Sequence, residues 1–308
     1  MLELYELQIF LIAAETENFS ETARILNLSQ SAVSAHIQTL EEKLGIRLFD
    51  RVGRSIRLSD IGEAAVPGVR KLLRDATCLE EMISSQRGEL QGTLTLGCST
   101  AAGKYILPKI MARFMTCYPN VRTVCRVGPR DRALESLTAG EVDLAVSSLR
   151  VPRQNLEYQH FADDQLVLIV PKSHVWAQRD RLKPENLVEH HIVLRESSSG
   201  TSITLNRDLS KYDLNVEMLQ TRLVLENTEA IIQAACEGVG PAFVSHIAAL
   251  NVLREGLVVE VPVEGLRLVQ KLYMARNTDF RAHEARAAFW DFVFAPENAD
   301  LRPLVTET

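Results

Sequence analysis

Gln30, Ser34 and Gln38 recur every fourth residue, with Ser31 and Ala35 beside them. On an α-helix that spacing gathers all five on one side, a face of short, neutral, hydrogen-bonding groups. Such groups suit base edges, because glutamine can bond adenine bidentately and serine can donate or accept. A solvated helix face would more often carry Glu and Lys. His36 borders this face, and contact and packing are equally open to it. Downstream, residues 43–57 hold Lys43, Arg47, Arg51, Arg54 and Arg57 against one acid, Asp50. Arg51, Arg54 and Arg57 are expected in a tight turn between short extended pieces. From there arginines reach phosphates or the minor groove, although a merely solvated hairpin would look similar. The net charge of −6 offers no global attraction to DNA, but a local basic patch can still dock on phosphate.

A second group of residues suits anion chemistry. Ser99 and Thr100 follow a predicted strand and begin a helix, where free N–H groups and the helix dipole favour an anion. Plain N-capping would use the same residues. Arg195, Ser197, Ser199 and Thr201 offer one charge and three hydroxyls on a glycine-containing loop, LRESSSGT, whose alternative is an exposed polar loop. Thr228, within ENTEA, begins another predicted helix.

The elements that position these groups follow from periodicity and caps. Leu4, Leu7, Leu11 and Ala14 mark an amphipathic helix over 4–14. Ser20 is the expected N-cap of a second helix over 21–26, Asn27 and Leu28 turn the chain, and Ser29 caps a third helix that stops at Gly45. This is a helix-turn-helix, and Leu48 and Phe49 should plug its core ahead of a two-stranded wing. One long helix is predicted over 59–87. Its stripe of Val66, Val69, Leu73, Ala76, Leu79 and Ile83 resembles a coiled-coil seam, and Pro67 falls near its start. Packing on its own domain is the alternative. Dimerisation is favoured because a helix-turn-helix usually needs two copies for two half-sites. Residues 86–92 form the expected hinge. Beyond them, strands at 93–98, 121–127 and 142–147 alternate with helices at 104–117 and 130–139, which argues for a parallel sheet. A second α/β set follows through 165–237, and then a strand at 266–275 and a helix at 281–294.

Other classes find little support. The cysteines at 78, 98, 117, 125 and 236 form no C-x-x-C pair and have no histidine cluster near them. A metal site and a disulfide framework are therefore not expected. Small buried residues in a reducing cytosol is the simplest reading of them. No apolar run reaches the roughly 20 residues of a membrane helix. The opening stretch lacks a basic segment and is interrupted by Glu3, Glu6, Glu15 and Glu17, which argues against a signal peptide and for a cytoplasmic protein. An enzyme could use a cleft with the adjacent His190 and His191. There is no G-x-S-x-G, no P-loop and no G-x-G-x-x-G after a strand, so no catalytic role and no cofactor are assigned.

From Leu4 to Gly62, LQIFLIAAETENFSETARILNLSQSAVSAHIQTLEEKLGIRLFDR and the following RSIRLSDIGE resemble the DNA-binding signature of LysR-type transcriptional regulators. The resemblance places base contacts at Gln30, Ser31, Ser34 and Ala35. Ser31 stands where many members carry proline, and Ala35 where many carry Arg or Lys. It implies a winged helix-turn-helix over 1–58, a linker and dimerisation helix with hinge over 59–90, and an effector-binding domain over 91–308. That domain would be a two-lobed, periplasmic-binding-protein-like α/β fold, with lobe 1 at 91–162 and 268–308 and lobe 2 at 163–267. The effector would sit between the lobes. Implied partners are double-stranded promoter DNA, a small-molecule effector, RNA polymerase, and further copies in a homodimer or homotetramer. The form RExxSGT resembles the branch controlling carbon fixation and sulfur assimilation, whose effectors tend to be small anions. In redox-sensing members the reactive cysteine pair lies in the second lobe; here that lobe holds only Cys236, which counts against such a role.

Overall fold

The computed structural model describes residues 2–52, 55–85, 90–280 and 283–303. The chain forms two compact units, one carried chiefly by residues up to Glu89 and the other chiefly by residues from Leu90 onward.

The first unit holds α1 (Leu4–Thr16), α2 (Phe19–Leu26), α3 (Gln30–Leu44), β1 (Phe49–Val52), β2 (Ser55–Leu58) and α4 (Asp60–Ser85). Asn18, not Ser20, caps α2: its side chain accepts from the N–H groups of Ser20 and Glu21. Asparagine two residues earlier fits the extended cap geometry, which leaves Ser20 inside the helix. Asn27 takes a left-handed conformation (φ 53°) and turns the chain into Ser29, whose hydroxyl caps α3; Gly45 ends that helix. Leu7, Ile9, Phe10, Val33, Ile37, Leu40, Leu48 and Phe49 are buried together in one core. Glu41 fastens α3 to the wing by accepting from the N–H groups of Leu48 and Phe49.

The wing pairs β1 with β2 antiparallel, with Asp50 opposite Arg57 and Arg51 opposite Ile56. Arg51 and Arg57 therefore stand on strands and not in the turn, because the ladder continues to the Val52–Ser55 pair. Arg54 and the side chain of Arg51 lie outside the described residues, as do 86–89 of the expected hinge. In α4 the stripe divides. Val66, Val69 and Leu73 pack against the unit's own core, whereas Leu79 and Ile83 are 49% and 62% exposed. The expectation of one continuous seam fails for the first three residues, which close the helix-turn-helix core. Pro67 lies inside the helix, past its opening turns.

The second unit comprises β3 (Gly92–Ser99), a helix from Thr100 that passes through a π-helical turn (Ala102–Ile106) into α5 (Leu107–Cys117), β4 (Val121–Gly128), α6 (Arg130–Thr138), β5 (Leu144–Ser147), β6 (Leu156–Pro171), β7 (Ile192–Arg195), α7 (Gly200–Leu209), β8 (Thr221–Leu225), α8 (Thr228–Cys236), β9 (Ala242–Ser245), α9 (His246–Arg254), β10 (Val258–Glu260), β11 (Val269–Asn277) and α10 (Glu284–Phe294). The strand order is β4-β3-β5-β11-β6-β9-β7-β8, and β10 pairs with β6. Strands β3, β4 and β5 are mutually parallel, as are β7, β8 and β9, while β11 runs antiparallel to β5 and β6. The sheet is thus mixed.

Strand β6 joins the lobes. Its residues up to Gln165 pair with β11, and Leu166 to Ile169 pair with β9. The first-lobe core collects Leu94, Leu96, Ile110 and Phe114 together with Leu272, Met274 and Phe289 from the far end of the chain. Two clusters, around Leu168 with Trp176 and around Ile169 with Ile231, fill the second lobe. Helices α7 and α9 add to the elements expected from sequence. The LRESSSGT segment is not a free loop: Ser199 accepts from the Ser202 N–H and caps α7.

Candidate functional sites: a base-reading helix and an inter-lobe cavity

On α3, Gln30, Ser31, Ala35 and Gln38 are exposed and Ser34 is half-buried, so the five residues share the outward face that their spacing implied. The buried Val33, Ile37 and Leu40 fix the helix and turn that face outward. Two of its polar groups are held by neighbours. Ser31 Oγ lies 2.9 Å from Ser29 Oγ, and the Gln38 amide donates to Glu42 Oε1 at 2.8 Å. His36 is half-buried and packs edge-on against Tyr5, with ring centroids 5.5 Å apart. Lys43 is withdrawn from the basic run, since its ammonium donates to Glu6 at 2.7 Å and to Glu3 at 3.2 Å. Those bonds hold it above its ordinary pKa.

In the second unit a cavity of about 50 Å³ lies between the lobes. Helix starts converge on it: Ser99, Thr100 and Ala101 ahead of the π turn, Arg130 and Asp131 of α6, Ser199, Gly200 and Thr201 of α7, and Thr228 of α8. Aligned peptide dipoles at these ends favour negative charge, while part of each first turn is already capped: the Ser202 N–H donates to Ser199 Oγ, and the Glu229 and Ala230 N–H groups donate to Asn227 Oδ1. Six of the seven sequence-predicted effector residues line it, namely Ser99, Thr100, Arg195, Ser199, Thr201 and Thr228. Ser197 is exposed and lies outside the lining.

Arg195 is not a free charge. Its guanidinium donates twice to Glu196, at 2.8 Å from both Nε and Nη2, and once to Thr228 Oγ1 at 2.9 Å. The adjacent carboxylate neutralises it and aims it at the start of α8. Arg130 is the contrasting case. It is half-buried, lines the cavity, and makes no ion pair among the described residues; burial holds its guanidinium below its ordinary pKa.

Three buried polar atoms of the cavity lining find no hydrogen-bond partner among the described residues: Ser99 Oγ, Ser148 Oγ and Gln270 Oε1. Ser99 and Gln270 are each 8% exposed. Buried polar atoms usually find partners, and leaving one unpaired costs about 1–3 kcal/mol. Gly200 permits this convergence, since a Cβ there would lie 2.5 Å from Gln270 Nε2 and 2.7 Å from Ser148 Oγ. Asp164 completes the wall; it accepts from Ser245 Oγ at 2.5 Å, and burial pushes its carboxyl up to about 6. A wider groove of about 650 Å³ shares Arg130, Ser148, Gly200 and Gln270 with the cavity and carries Arg207, Lys211, Arg267 and Lys271.

Arg130, Ser148, Asp164 and Gln270 were not singled out from the sequence. The Gly128-Pro129-Arg130 step into a helix was the available signal for the first. Gln270, polar within an apolar strand, was the signal for the last.

Residues 4–63 match the family described as bacterial regulatory helix-turn-helix protein, lysR family, and residues 87–295 match the LysR substrate binding domain. A relative from Nostoc sp., named "Probable RuBisCO transcriptional regulator", is 31% identical over 293 residues, covering 93% of this chain and 86% of its own. Among solved structures, full-length CbnR complexed with its target DNA superposes with a TM-score of 0.68 at 21% identity, covering 95% of this chain and 99% of its own. The Synechocystis CcmR regulatory domain in complex with 2-PG gives a TM-score of 0.60 at 24% identity, covering 67% of this chain and 97% of its own. A helix-turn-helix whose outward face suits base edges, a two-lobed sensor with a polar cavity and both family matches lead to one conclusion: the chain belongs to the LysR family of DNA-binding transcriptional regulators.

Proposed function

We propose that the α3 face of Gln30, Ser31, Ser34, Ala35 and Gln38, with Arg51, Arg54 and Arg57 on phosphates, docks on promoter DNA, and that a small anion between the lobes tunes this docking. One observation carries the effector half: Ser99 Oγ, Ser148 Oγ and Gln270 Oε1, unpartnered among the described residues, converge where helix N-termini meet. A compact oxyanion with an exchangeable proton or hydroxyl would satisfy both kinds of group, with Arg130 supplying the unpaired positive charge. The body of a larger effector would extend into the groove beside it. The 2-PG named for the CcmR domain is of this anionic kind. A cytoplasmic protein that acts as a dimer or a tetramer and contacts RNA polymerase is consistent with this reading.

Calorimetry of the full chain with sulfate, inorganic phosphate and 2-PG tests the effector half. At least one should bind, and Ser99→Ala and Arg130→Leu should each weaken it by roughly tenfold or more, the worth of one lost charge-assisted bond. Arg195→Ala should also weaken it, through the loss of order at Thr228. Binding of none of these anions, or equal binding by all variants, would overturn the anion assignment.

A further inference from the structure

Cys98 on β3 and Cys125 on β4 bring their sulfurs to 3.2 Å. The strands run parallel, with Cys98 opposite Val127 and Leu96 opposite Cys125. Both cysteines therefore stand on one face of the sheet, diagonal to each other across the ladder. That face is the one packed by Ile106, Ile110 and Phe114. Cys98 is fully buried, whereas Cys125 is half-buried on the edge strand of the sheet. A disulfide needs a sulfur separation of about 2.05 Å. Diagonal neighbours on a sheet stand about 7–8 Å apart at Cα and a disulfide spans about 4.4–6.8 Å, so forming the bond takes a side-chain rotation together with a small backbone shift at the edge strand.

We propose that Cys98 and Cys125 form a reversible disulfide, a redox modification site in the first lobe directly ahead of Ser99 and Thr100. The oxidant is a hydroperoxide. Cys125 gives up its proton, its thiolate attacks the hydroxyl oxygen of the hydroperoxide, the O–O bond breaks, and Cys125 becomes a sulfenic acid while the other oxygen takes up that proton and leaves as water or an alcohol. Cys98 then attacks Cys125 Sγ, its own proton goes to the departing oxygen, the S–O bond breaks and water leaves. Two thiols have lost two electrons and two protons, which the hydroperoxide has taken up. The environments suit these roles. The S–H of Cys98 stabilises an ionised Cys125 and holds that thiol below its ordinary pKa, while burial and the same neighbour push Cys98 up. The reachable sulfur is the one that ionises, and the buried one keeps its proton for the second step.

The sequence hides such chemistry, because the partners are 27 residues apart and meet only through strand pairing. The bond should also be felt in the cavity, a consequence that rests on the effector reading above. A Cβ on Gly103 would lie 2.5 Å from Cys98 Sγ, so the π turn rests directly on that sulfur. Drawing it toward β4 shifts the support beneath Thr100.

Full-length protein treated with hydrogen peroxide, alkylated and digested without reductant tests the bond. The expected result is a loss of two hydrogens from the intact mass and one cross-linked peptide joining Cys98 to Cys125, reversed by dithiothreitol. Cys117→Ser should leave the link intact, and Cys125→Ser should abolish it. Wild-type mapping decides the matter even if Cys125→Ser fails to fold. Recovery of both cysteines as free thiols, or Cys125 as sulfinic acid with no link, would overturn the proposal. Calorimetry of reduced and oxidised protein with inorganic phosphate and 2-PG then reads the coupling, with a change of roughly fivefold or more expected. Equal affinities in both states overturn the coupling and leave the mapped bond standing. No binding by the reduced protein counts against the effector reading and not against the bond.

Discussion

Asp164 is 4% exposed, and its carboxyl is pushed up to about 6 by burial, against the opposing effect of the Ser245 hydroxyl. Because the folded-state value lies above the unfolded one, the contribution to stability is full below about pH 4 and is lost as pH rises through about 6. The loss is about 3 kcal/mol by proton linkage. Asp164→Asn keeps the acceptor for Ser245 and removes the charge. Denaturant unfolding should find the variant more stable than wild type at pH 8 and close to it at about pH 3.5; equal stabilities at both would refute the cause. On α3 the residues separate differently. Gln30→Ala should cost about 1–3 kcal/mol on the cognate duplex and relax base preference. Arg57→Ala should weaken binding to all duplexes and lower the salt slope. Binding titrations across salt concentrations distinguish the two, and an identical profile for both variants would show that Gln30 reads no base. The five-residue face was legible in the sequence because helical spacing alone defines it. The pairing of Arg195 with Glu196 was legible in principle, as neighbours, but not the consequence that the charge is spent. Arg130, Ser148 and Gln270 come from three separate elements and share a cavity only once the sheet has assembled.

At the scale of elements, caps and periodicity carried the helix-turn-helix, except that Asn18, a residue type as good at capping as serine, takes the place expected of Ser20. Strand alternation likewise found β3, β4 and β5. Of β6, sixteen residues long, it reached only 165–170, because a largely continuous buried stretch shows no period of two to extend the strand back to Leu156. The linker helix shows the limit of a stripe. The same spacing of three and four residues serves the domain core at Val66, Val69 and Leu73, then presents Leu79 and Ile83 outward. Val69→Asp with Leu73→Asp should therefore destabilise the N-terminal unit, since both half-buried side chains pack against its core and a charge there would be partly desolvated. Leu79→Asp with Ile83→Asp should leave the fold intact and separate the copies. Sedimentation together with circular dichroism checks both pairs, and an undisturbed assembly in the second variant would move the interface off this part of α4.

At the scale of the whole molecule, β6 and β11 are single strands that serve the first lobe while leading to and from the second. The second lobe is thus an insertion into the first. This arrangement sets an order on synthesis. The core of the N-terminal unit draws on residues 7 to 73 and can close once α4 has left the ribosome. The second lobe is one unbroken stretch and can follow on its own. The first lobe begins earlier than the second yet finishes last, because Leu94, Leu96 and Phe114 must wait for Leu272, Met274, Phe289 and Leu301. At about 5–20 residues per second, residues 90–301 take roughly 10–40 s to appear. For that interval β3 and α5 present an apolar face with no partner, a natural client surface for a chaperone. Throughout it the nascent chain carries a completed helix-turn-helix unit and an unfinished effector-binding domain.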